Sequence, residues 1–538
     1  MAKGRSFLWQ LLRPYRLRLI GLCLLMMAQA FLQVAMAVLT RFVIDTAIAG
    51  SERLAFWSWL LATDILLQVG AYALLNWYTG STTDRMAAGL RTRLLRSAVY
   101  SADARLQEFH SGELLSRGME DVLTVCDGVV QAMPSLLGQL ARLLTAFGAV
   151  MLISPPAALV LLGAGGVLVL AISLIRPLLK KRHRAVREEE EKVMSTMQED
   201  LQQLELIQSI QAQEPIVSRF RRRQNRSLRE KFRRRLYSVG AYSIVNCLSL
   251  LGSGLLLLWG ADKVALGLLS YGSLTSMLQL LAQFRGPVLS LSGLWTRFAA
   301  VEVATERLTD ILEIPEQPER LAVSGAHAVV FENVTFRYPG DELAVLDRFS
   351  MRLPLEGWVS LSGISGRGKS TIFKLILGLY APQEGRVYLQ TEEGEIPCGP
   401  DTRHLFAYVP QDYALFSGTV LENLRLVAPD VEESRCEAAL KLAAADFALE
   451  MPGGLSTLVG ENNTGLSKGQ LQRLAIARAV LMDRRVLLLD ECTSALDAQT
   501  ESKVLTGLYE SCPNALLVTH RPQALADLEH IIPVVLQD

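Results

Sequence analysis

Six long apolar runs in the first 300 residues limit what this chain can fold into. A helix needs about 20 predominantly apolar residues to cross a bilayer, and within hydrocarbon it must satisfy its own backbone polar groups. The runs lie near residues 19–43, 55–77, 129–153, 156–179, 238–260 and 264–296. They predict an all-α membrane domain of six transmembrane helices over residues 1–310.

The remaining composition indicates a second, soluble part. Of the 538 residues, 50% are hydrophobic and 20% are charged. This is too apolar for an average soluble protein and too charged for one that is wholly embedded. The formal net charge is zero, so overall charge says nothing about partners. We expect no nucleic-acid partner. The seven cysteines have no disulfide-framework or metal-ligand spacing, and we expect no cleavable signal peptide.

The connections between the runs predict the orientation of the chain. Short loops near Gly50, Ser154 and Asp262 alternate with two long, arginine-rich connections over 79–128 and 180–236. The positive-inside rule places the N-terminus, both long connections and the C-terminal half in the cytoplasm. We therefore expect a multi-pass protein of a plasma membrane or bacterial inner membrane, with the soluble part in the cytoplasm.

The long connections carry further signals. Residues 185–213 contain no Gly or Pro and predict a charged helix. Turn signals at 109–113 and 213–215 predict two cytoplasmic elbows that contact the soluble part; the alternative is that these charged stretches are only solvated faces. The stretch from Phe7 to Leu12 is either an amphipathic segment at the membrane surface or the start of the first span.

Three charges fall within the spans, where they are costly and therefore candidates for function. Depth can be estimated at about 1.5 Å per residue from the outer end of each run. By this estimate Asp64 and Arg142 lie near mid-bilayer, and Arg285 lies near the cytoplasmic boundary. These charges either line a substrate path or have only a structural role. In the second case, Asp64 and Arg142 form an internal ion pair, and the Arg285 side chain snorkels to the membrane surface. Gln279 and Gln283 share one helix face and favour a polar cavity. If the arginines line it, an anionic or amphipathic substrate is favoured.

The pattern changes after residue 310. Residues 311–328 form a polar linker, and 329–538 have the character of a soluble α/β domain. The stretch 359–362 predicts a strand, and Thr371 opens a helix. Between them is the spacing G-x-x-x-x-G-K-[ST] of a phosphate-binding loop. It comprises Gly363, Ile364, Ser365, Gly366, Arg367, Gly368, Lys369 and Ser370.

The loop predicts a nucleotide site with Mg²⁺. Backbone N–H groups and the helix N-terminus attract phosphate oxygens. Lys369 would reach the β- and γ-phosphates, and Ser370 would offer its hydroxyl to Mg²⁺. Downstream, the apolar strand 486–489 ends at Asp490 and Glu491. Asp490 can hold the Mg²⁺ shell, and Glu491 can orient or deprotonate the attacking water.

A second small-residue turn, Gly465 to Gln470, precedes a helical run from Leu471 to Met482. It is either a plain helix cap or another anion site. One nucleotide does not need two such sites from one subunit. Two subunits that hold the nucleotide between them would use both.

Together these segments resemble an ABC transporter of the six-helix exporter type, over essentially the whole chain. Residues 363–371 resemble the Walker A loop, Asp490 the Walker B aspartate and Glu491 the catalytic glutamate. Residues 466–470 resemble the signature motif, in which Ser467, Gly469 and Gln470 would face the partner's nucleotide. Residues 494–497 resemble the D-loop.

Three single residues extend the resemblance. Tyr338 is similar to the aromatic residue that stacks on adenine, and Gln411 to the glutamine that contacts Mg²⁺ and senses the membrane domain. His520 is similar to the switch histidine at the γ-phosphate. The implied catalytic residues are Glu491, His520 and Gln411, and the implied Mg²⁺ ligands are Ser370, Gln411 and Asp490.

The resemblance implies an ATPase that exports a substrate by alternating access as a dimer, with two cytoplasmic coupling helices. A homodimer is favoured and a heterodimer is open, and the substrate is a small molecule, a lipid or a peptide. The alternative is a regulatory or less active half of a heterodimer, or an ATP-gated membrane module. Two residues depart from the family pattern: Lys468 replaces the usual glycine, and Arg367 a small residue. Because Glu491 and His520 are present, we expect hydrolysis.

Overall fold

Two compact units make up the chain in this computed structural model. The structure describes residues 12–101, 111–315, 317–339, 341, 343–363, 368–411, 415–460, 465–519, 521, 525 and 528–536. The side chains at 111 and at several positions between 161 and 176 and between 285 and 296, including Arg285, lie outside this description. The first unit contains the described parts of Met1–Leu94 and Gly112–Asp310, and the second those of Leu95–Ser111 and Ile311–Asp538.

The first unit is helical, as predicted. Six of its helices are long and one is short. They are α1 (Arg16–Ile48), α2 (Leu54–Val99), α3 (Gly112–Ile153), α4 (Pro155–Gln202), α5 (Leu204–Ser209), α6 (Gln213–Ala265) and α7 (Tyr271–Leu312).

Each predicted span falls largely within one long helix. Among the described residues, α1, α2, α3 and α6 are long and apolar enough to cross a membrane, judged by length and composition. Helix α4 carries a shorter apolar stretch over Pro155–Val167. The sixth span was predicted to begin at 264, but α6 continues to Ala265 and the chain turns before α7. That six helices cross remains a prediction.

The charged helix predicted over 185–213 is only partly correct. Helix α4 extends to Gln202, and the chain then bends twice around the short helix α5. Gln211 adopts a φ of +53° in the second bend, a conformation that non-glycine residues seldom adopt. Pro215 lies in the first turn of α6, where a missing N–H costs no hydrogen bond. The chain therefore bends near the elbow predicted at 213–215, but the bend lies at α5 and residues 210–212. Contact of this elbow with the soluble part remains a prediction. Residues 109 and 110 of the other elbow, and the segment from Phe7 to Leu11, lie outside the described residues.

Small side chains let the long helices pack closely. Helix α1 packs along α3, and α4 packs along α6. A buried apolar cluster joins α1, α3, α4, α6 and α7, and includes Val34, Ala37, Ala146, Val150 and Met277.

A carboxylate of α1 caps the start of α7. Asp45 accepts hydrogen bonds from the Gly272 N–H at 2.9 Å and from the Ser270 hydroxyl at 2.7 Å. A Cβ atom at Gly272 would collide with the Arg41 carbonyl oxygen, so the approach requires glycine. The first N–H groups of a helix have no partner within the helix, and here a neighbouring helix supplies one.

The second unit contains two principal sheets. The first is antiparallel, in the order β2–β1–β4–β5, with β1 (Ala328–Phe336), β2 (Leu346–Pro354), β4 (Glu384–Thr391) and β5 (Gly394–Pro397). The second is parallel, in the order β11–β3–β10–β9–β6. Its strands are β3 (Trp358–Ser362), β6 (Phe406–Val409), β9 (Val486–Asp490), β10 (Ala515–Val518) and β11 (Ile531–Val535).

Helices and a two-stranded ribbon complete this unit. The ribbon pairs β7 (Gly418–Thr419) with β8 (Leu458–Val459). The helices are α8 (Lys369–Ile376), α9 (Val420–Arg425), α10 (Glu433–Leu442), α11 (Phe447–Glu450), α12 (Lys468–Leu481) and α13 (Ala498–Ser511).

The parallel sheet is buried on both faces, as its uninterrupted apolar strands require. Alternate residues of a strand point to opposite faces. Leu487, Leu489 and Leu517 therefore join the core that includes α10, α12 and α13. Leu488 and Leu516 join the opposite core, with α8 and the antiparallel sheet. The predicted α/β fold of this half is confirmed, and its core holds the strands that carry the candidate site.

The Asp45 cap can be tested by Asp45→Ala. Loss of both hydrogen bonds should lower the free energy of unfolding by about 1–2 kcal/mol, measured by thermal unfolding in detergent micelles. The control is Asp262→Ala, whose carboxylate is 64% exposed and pairs with the adjacent Lys263. The control should change stability by less than about 0.5 kcal/mol, and equal losses in both variants would contradict the assignment.

Candidate functional site

The candidate site lies at one edge of the parallel sheet. The strands β3, β6, β9 and β10 run in the same direction, so their carboxyl ends meet at that edge. Ligands of open α/β sheets bind outside these ends. The phosphate loop follows β3, Gln411 follows β6, Asp490 ends β9, and Thr519 follows β10.

The described ends of the phosphate loop show how it is held. Residues 364–367, which include Arg367, lie outside the described residues. Gly368 has a φ of +80°, and a Cβ atom there would lie 3.0 Å from side-chain carbons of Val345 and Leu346. Lys369 is buried and donates a hydrogen bond to the Gly363 carbonyl oxygen at 2.9 Å. The lysine thus links the first residue of α8 to the residue that follows β3.

Ser370 and Asp490 are brought together across the sheet edge, 120 residues apart in sequence. The Ser370 hydroxyl donates to Asp490 Oδ1 at 3.0 Å, and the Tyr408 hydroxyl donates to Oδ2 at 3.2 Å. Asp490 is 1% exposed. Burial raises the pKa of its carboxyl above the usual value, and the bonds from Ser370 and Tyr408 oppose that rise.

These oxygens fit Mg²⁺, which prefers one or two carboxylates together with phosphate oxygens. Ser370 and Asp490 supply two adjacent hard donors, and a cation would offset the cost of burying the carboxylate charge. No group of three or more His, Cys, Asp or Glu residues that could hold a metal occurs in the described part of the chain.

Glu491 adopts an unusual backbone conformation next to this pair. Its φ is +49°, and its N–H donates to the Val518 carbonyl oxygen at 3.1 Å. Such conformations cost energy and concentrate at functional sites. The side chain is half-buried, and Gln411 Nε2 donates to its Oε2 at 3.0 Å. A neutral amide thus orients the carboxylate and leaves it able to accept a proton.

The turn before α12 caps that helix through two reciprocal hydrogen bonds. Ser467 accepts a hydrogen bond from the Gln470 N–H, and the Gln470 side chain accepts one from the Ser467 N–H. Lys468 is the first residue of α12 and is exposed. Because it adopts ordinary helical backbone there, the fold accommodates a side chain where the family has glycine. A Cβ atom at Gly469 would lie 3.0 Å from the Ala495 carbonyl oxygen.

A buried glutamine that sequence reasoning did not single out joins this helix to the sheet edge. Gln472 is fully buried. Its amide donates to the Glu491 carbonyl oxygen at 3.2 Å and accepts from the Ala495 N–H at 3.2 Å. The turn before α12, Glu491 and the 494–497 segment therefore form one connected structure.

A second unanticipated contact anchors Arg521, which follows β10. Arg521 pairs with the buried Glu501 at 3.1 Å and donates to the Leu496 carbonyl oxygen at 3.0 Å. Glu501 also accepts from the Thr493 hydroxyl at 2.7 Å. His520 itself lies outside the described residues, but both of its neighbours belong to this edge.

Tyr338 lies beside the phosphate loop helix. Its hydroxyl is 3.0 Å from Thr371 Oγ1, and its ring makes edge-to-face contacts with Phe336 and Tyr380. Lys374 Nζ lies 5.2 Å from the centre of the ring. The ring is half-buried near α8, and its stacking on adenine remains a prediction.

Asp64 and Arg142, the two candidate charges within the predicted spans whose side chains the structure describes, do not pair with each other. Asp64 is buried and accepts a hydrogen bond from Gln68 at 2.6 Å. Asp64 and Arg142, both within the described ranges, form no ion pair, so that alternative is wrong. Gln283 donates to the Gln33 carbonyl oxygen at 2.7 Å, which brings the predicted polar face of the last span onto α1. The Arg285 side chain lies outside the described residues.

Comparison with known proteins identifies related sequences on both halves of the chain. The family described as "ABC transporter transmembrane region" matches residues 19–288, and the family described as "ABC transporter" matches residues 346–494.

Among curated relatives, the leukotoxin export ATP-binding protein LtxB of Aggregatibacter actinomycetemcomitans is 35% identical over 282 residues. The alpha-hemolysin translocation ATP-binding protein HlyB of Escherichia coli O157:H7 is 33% identical over 286 residues. The leukotoxin translocation ATP-binding protein LktB of Mannheimia glucosida is 34% identical over 282 residues. Each match spans 51% of this chain and 40% of the relative.

The buried Asp490 carboxyl should make stability depend on pH. Its pKa is raised in the folded chain, so its favourable contribution is present at low pH and is lost as pH rises through the folded-state pKa. The melting temperature of Asp490→Asn should therefore rise relative to that of the unsubstituted chain as the pH increases above the ordinary aspartate pKa of about 4. A gain of roughly 2–4 °C would correspond to about 1 kcal/mol.

The matched control is Asp483→Asn, because the Asp483 side chain is 77% exposed. The difference in melting temperature between this control and the unsubstituted chain should not change with pH. An equally flat difference for Asp490→Asn in nucleotide-free protein would show that burial does not set the protonation of Asp490.

Proposed function

The chain belongs to the ABC transporter family, and we propose that it is one half of an ATP-hydrolysing exporter that works as a dimer by alternating access. The observation that carries the proposal is the meeting of two pairs at one sheet edge. Ser370 contacts Asp490 at 3.0 Å, and Gln411 contacts Glu491 at 3.0 Å. The end of the predicted phosphate loop, the carboxylate proposed to bind Mg²⁺ and the proposed base are thereby adjacent.

The proposed chemistry assigns a step to each side chain. Lys369, which now bonds to the Gly363 carbonyl, can transfer its hydrogen bonds to the β- and γ-phosphates of ATP. Glu491 orients a water for in-line attack on the γ-phosphorus and accepts its proton. The bond from that phosphorus to the bridging oxygen breaks, and ADP leaves with the electron pair.

Ser370, Asp490 and Gln411 would hold Mg²⁺ beside the phosphates. When bound, the ion neutralises charge on the phosphate oxygens. The ion would also favour ionised Asp490, whose carboxyl is otherwise held above its usual pKa by burial. Gln411 donates to Glu491 in the present arrangement, so reorientation of Gln411 towards the ion would release the base. His520 is proposed to contact the γ-phosphate.

The signature turn motivates the dimer. Ser467 is exposed at the N-terminus of α12, where its N–H groups and dipole attract anions. The phosphate loop already supplies one such site, so we propose that the turn completes the nucleotide site of a second chain. Lys468 adds positive charge where that phosphate would bind, and a second copy of this chain is the favoured partner.

The helical unit would form the transport path. The chain is an integral membrane protein of the inner membrane, with its soluble unit in the cytoplasm. We propose that closure of two soluble units on ATP is transmitted to the spans through α5 and through the elbow predicted from the sequence at 109–113. The relatives LtxB and HlyB are named for leukotoxin export and alpha-hemolysin translocation; the substrate proposed for this chain is defined only as a small molecule, lipid or peptide.

Glu491→Gln tests the hydrolytic step. The amide keeps the shape of the side chain but cannot accept a proton, so steady-state ATPase activity of the purified full chain should fall by about 10²- to 10⁴-fold. Equilibrium binding of ATP should be retained, because the phosphate loop is intact. Measurement of both quantities separates a catalytic defect from a binding defect.

Glu510→Gln is the matched control, since Glu510 is an exposed carboxylate on α13. It should hydrolyse ATP at the normal rate. Full turnover in Glu491→Gln would remove the assignment of Glu491 as the base. Absence of ATPase activity in the unsubstituted homodimer, restored only by a different partner chain, would favour the regulatory alternative.

A further inference from the structure

A groove of about 150 Å³ with polar walls lies between α1 and α3 in the helical unit. We call it the polar groove. Its polar lining residues are Gln29 and Gln33 of α1 and Ser135, Gln139 and Arg142 of α3, and its apolar lining includes Met26 and Leu75. The groove therefore joins a positively charged, hydrogen-bonding part to an aliphatic part.

Arg142 brings an uncompensated charge to the polar groove. It lies 11 residues before the end of α3 at Ile153, about 16 Å along the helix. Its Nε atom is buried and has no hydrogen-bond partner in the portion of the chain covered by the structure. Asp64, a buried carboxylate of the neighbouring span, bonds instead to Gln68. An ionised side chain at this depth is costly and usually marks a ligand or ion site.

Amide groups next to Arg142 are also incompletely used. Gln29 Oε1 is buried without a partner among the described residues, and Gln139 lines the same wall. Gln283 of α7 holds the neighbouring turn of α1 through the Gln33 carbonyl oxygen. The polar groove thus combines a half-buried arginine, whose Nε atom is buried, with unused hydrogen-bonding capacity beside a turn of α1 that Gln283 holds in place.

We infer that the polar groove binds the anionic head of an amphipathic molecule, a phosphate or carboxylate attached to an alkyl chain. A guanidinium can bind either oxyanion through two parallel N–H bonds, and the anion supplies the counter-charge that Arg142 lacks. The aliphatic tail would extend along Met26 and Leu75. The inference rests on the proposed export function and adds the substrate class to it. The anionic head could belong to a cargo amphiphile or to a bilayer phospholipid.

Calorimetric titration of the full chain in nanodiscs of neutral phosphatidylcholine tests the inference. The probe is dodecyl phosphate, with dodecyl maltoside and inorganic phosphate as comparisons. We expect saturable binding of dodecyl phosphate, at least about tenfold tighter than dodecyl maltoside, and no measurable binding of inorganic phosphate. Arg142→Gln should weaken binding at least tenfold, and Arg142→Lys should weaken it less because the charge remains.

Two further variants keep the test decisive. Arg222→Gln removes one positive charge from an exposed position on α6 and should bind as the unsubstituted chain does. Gln139→Leu alters the wall of the groove without changing its charge and should also weaken binding. If Arg142→Gln fails to fold, Gln139→Leu and Arg142→Lys carry the comparison.

The possible results have separate meanings. Unchanged binding in Arg142→Gln and Gln139→Leu would overturn the inference, and so would equal affinity for dodecyl maltoside or inorganic phosphate. Competition by phosphatidylglycerol added to the nanodiscs would support the site and identify the bilayer as the source of the head. Basal ATPase activity without any probe is measured in parallel. Its absence from the unsubstituted chain would overturn the proposed function, whereas normal activity with unchanged binding would overturn only this inference.

Discussion

The hydrogen bond between Ser370 and Asp490 joins two segments on which the soluble unit depends. Ser370 is the second residue of the helix after the phosphate loop, and Asp490 ends β9, the neighbour of the central strand β10. Their contact at 3.0 Å requires β3 and β9 to lie on either side of β10 in correct register. The apolar residues on both faces of the sheet maintain that register, because a slip of one residue would turn every core side chain to the wrong face. The core is therefore the reason that the polar edge has a defined geometry.

Around that contact, polar residues link separate segments of the edge to one another. Gln472 bonds to the backbone of Glu491 and Ala495, and Arg521 bonds to Glu501 and the backbone of Leu496. Removing one partner of such a buried group leaves the other unsatisfied, at a cost of about 1–3 kcal/mol. A shift of the turn before α12 would therefore also displace Glu491, to which α12 is bonded through Gln472. This continuity offers a physical route by which the proposed docking of a second chain would influence Glu491, the proposed base.

The local motifs could be predicted from the sequence, because each depends on neighbouring residues. The phosphate loop between β3 and α8, and the acids that end β9, are recognisable from spacing and flanking hydrophobicity alone. Tyr408, Gln472 and Glu501 were not anticipated, since their partners are remote in the sequence and their own positions fit ordinary strand or helix residues. The alternative of an Asp64–Arg142 ion pair was wrong for a related reason. The sequence gives the depth of each residue along its helix axis, but it does not give the direction in which the side chain points around that axis. Gln68, one turn away on the same helix, donates a hydrogen bond to Asp64 instead. The end of α4 at Gln202, before the predicted end at 213, could not be predicted either, because no Gly or Pro lies between these positions.

The central claim is that each nucleotide site uses the phosphate loop of one chain and the signature turn of another. Co-expression of a Lys369→Ala chain with a Ser467→Asp chain, each carrying a different tag, tests this directly. Aspartate still caps a helix but would repel a phosphate, and Ser467→Asn keeps the cap without the charge as the control. In a twofold dimer the purified heterodimer should contain one intact site and hydrolyse ATP at up to roughly half the normal rate, while both homodimers remain inactive. A heterodimer as inactive as the two homodimers, alongside a normally active Ser467→Asn homodimer, would contradict the account.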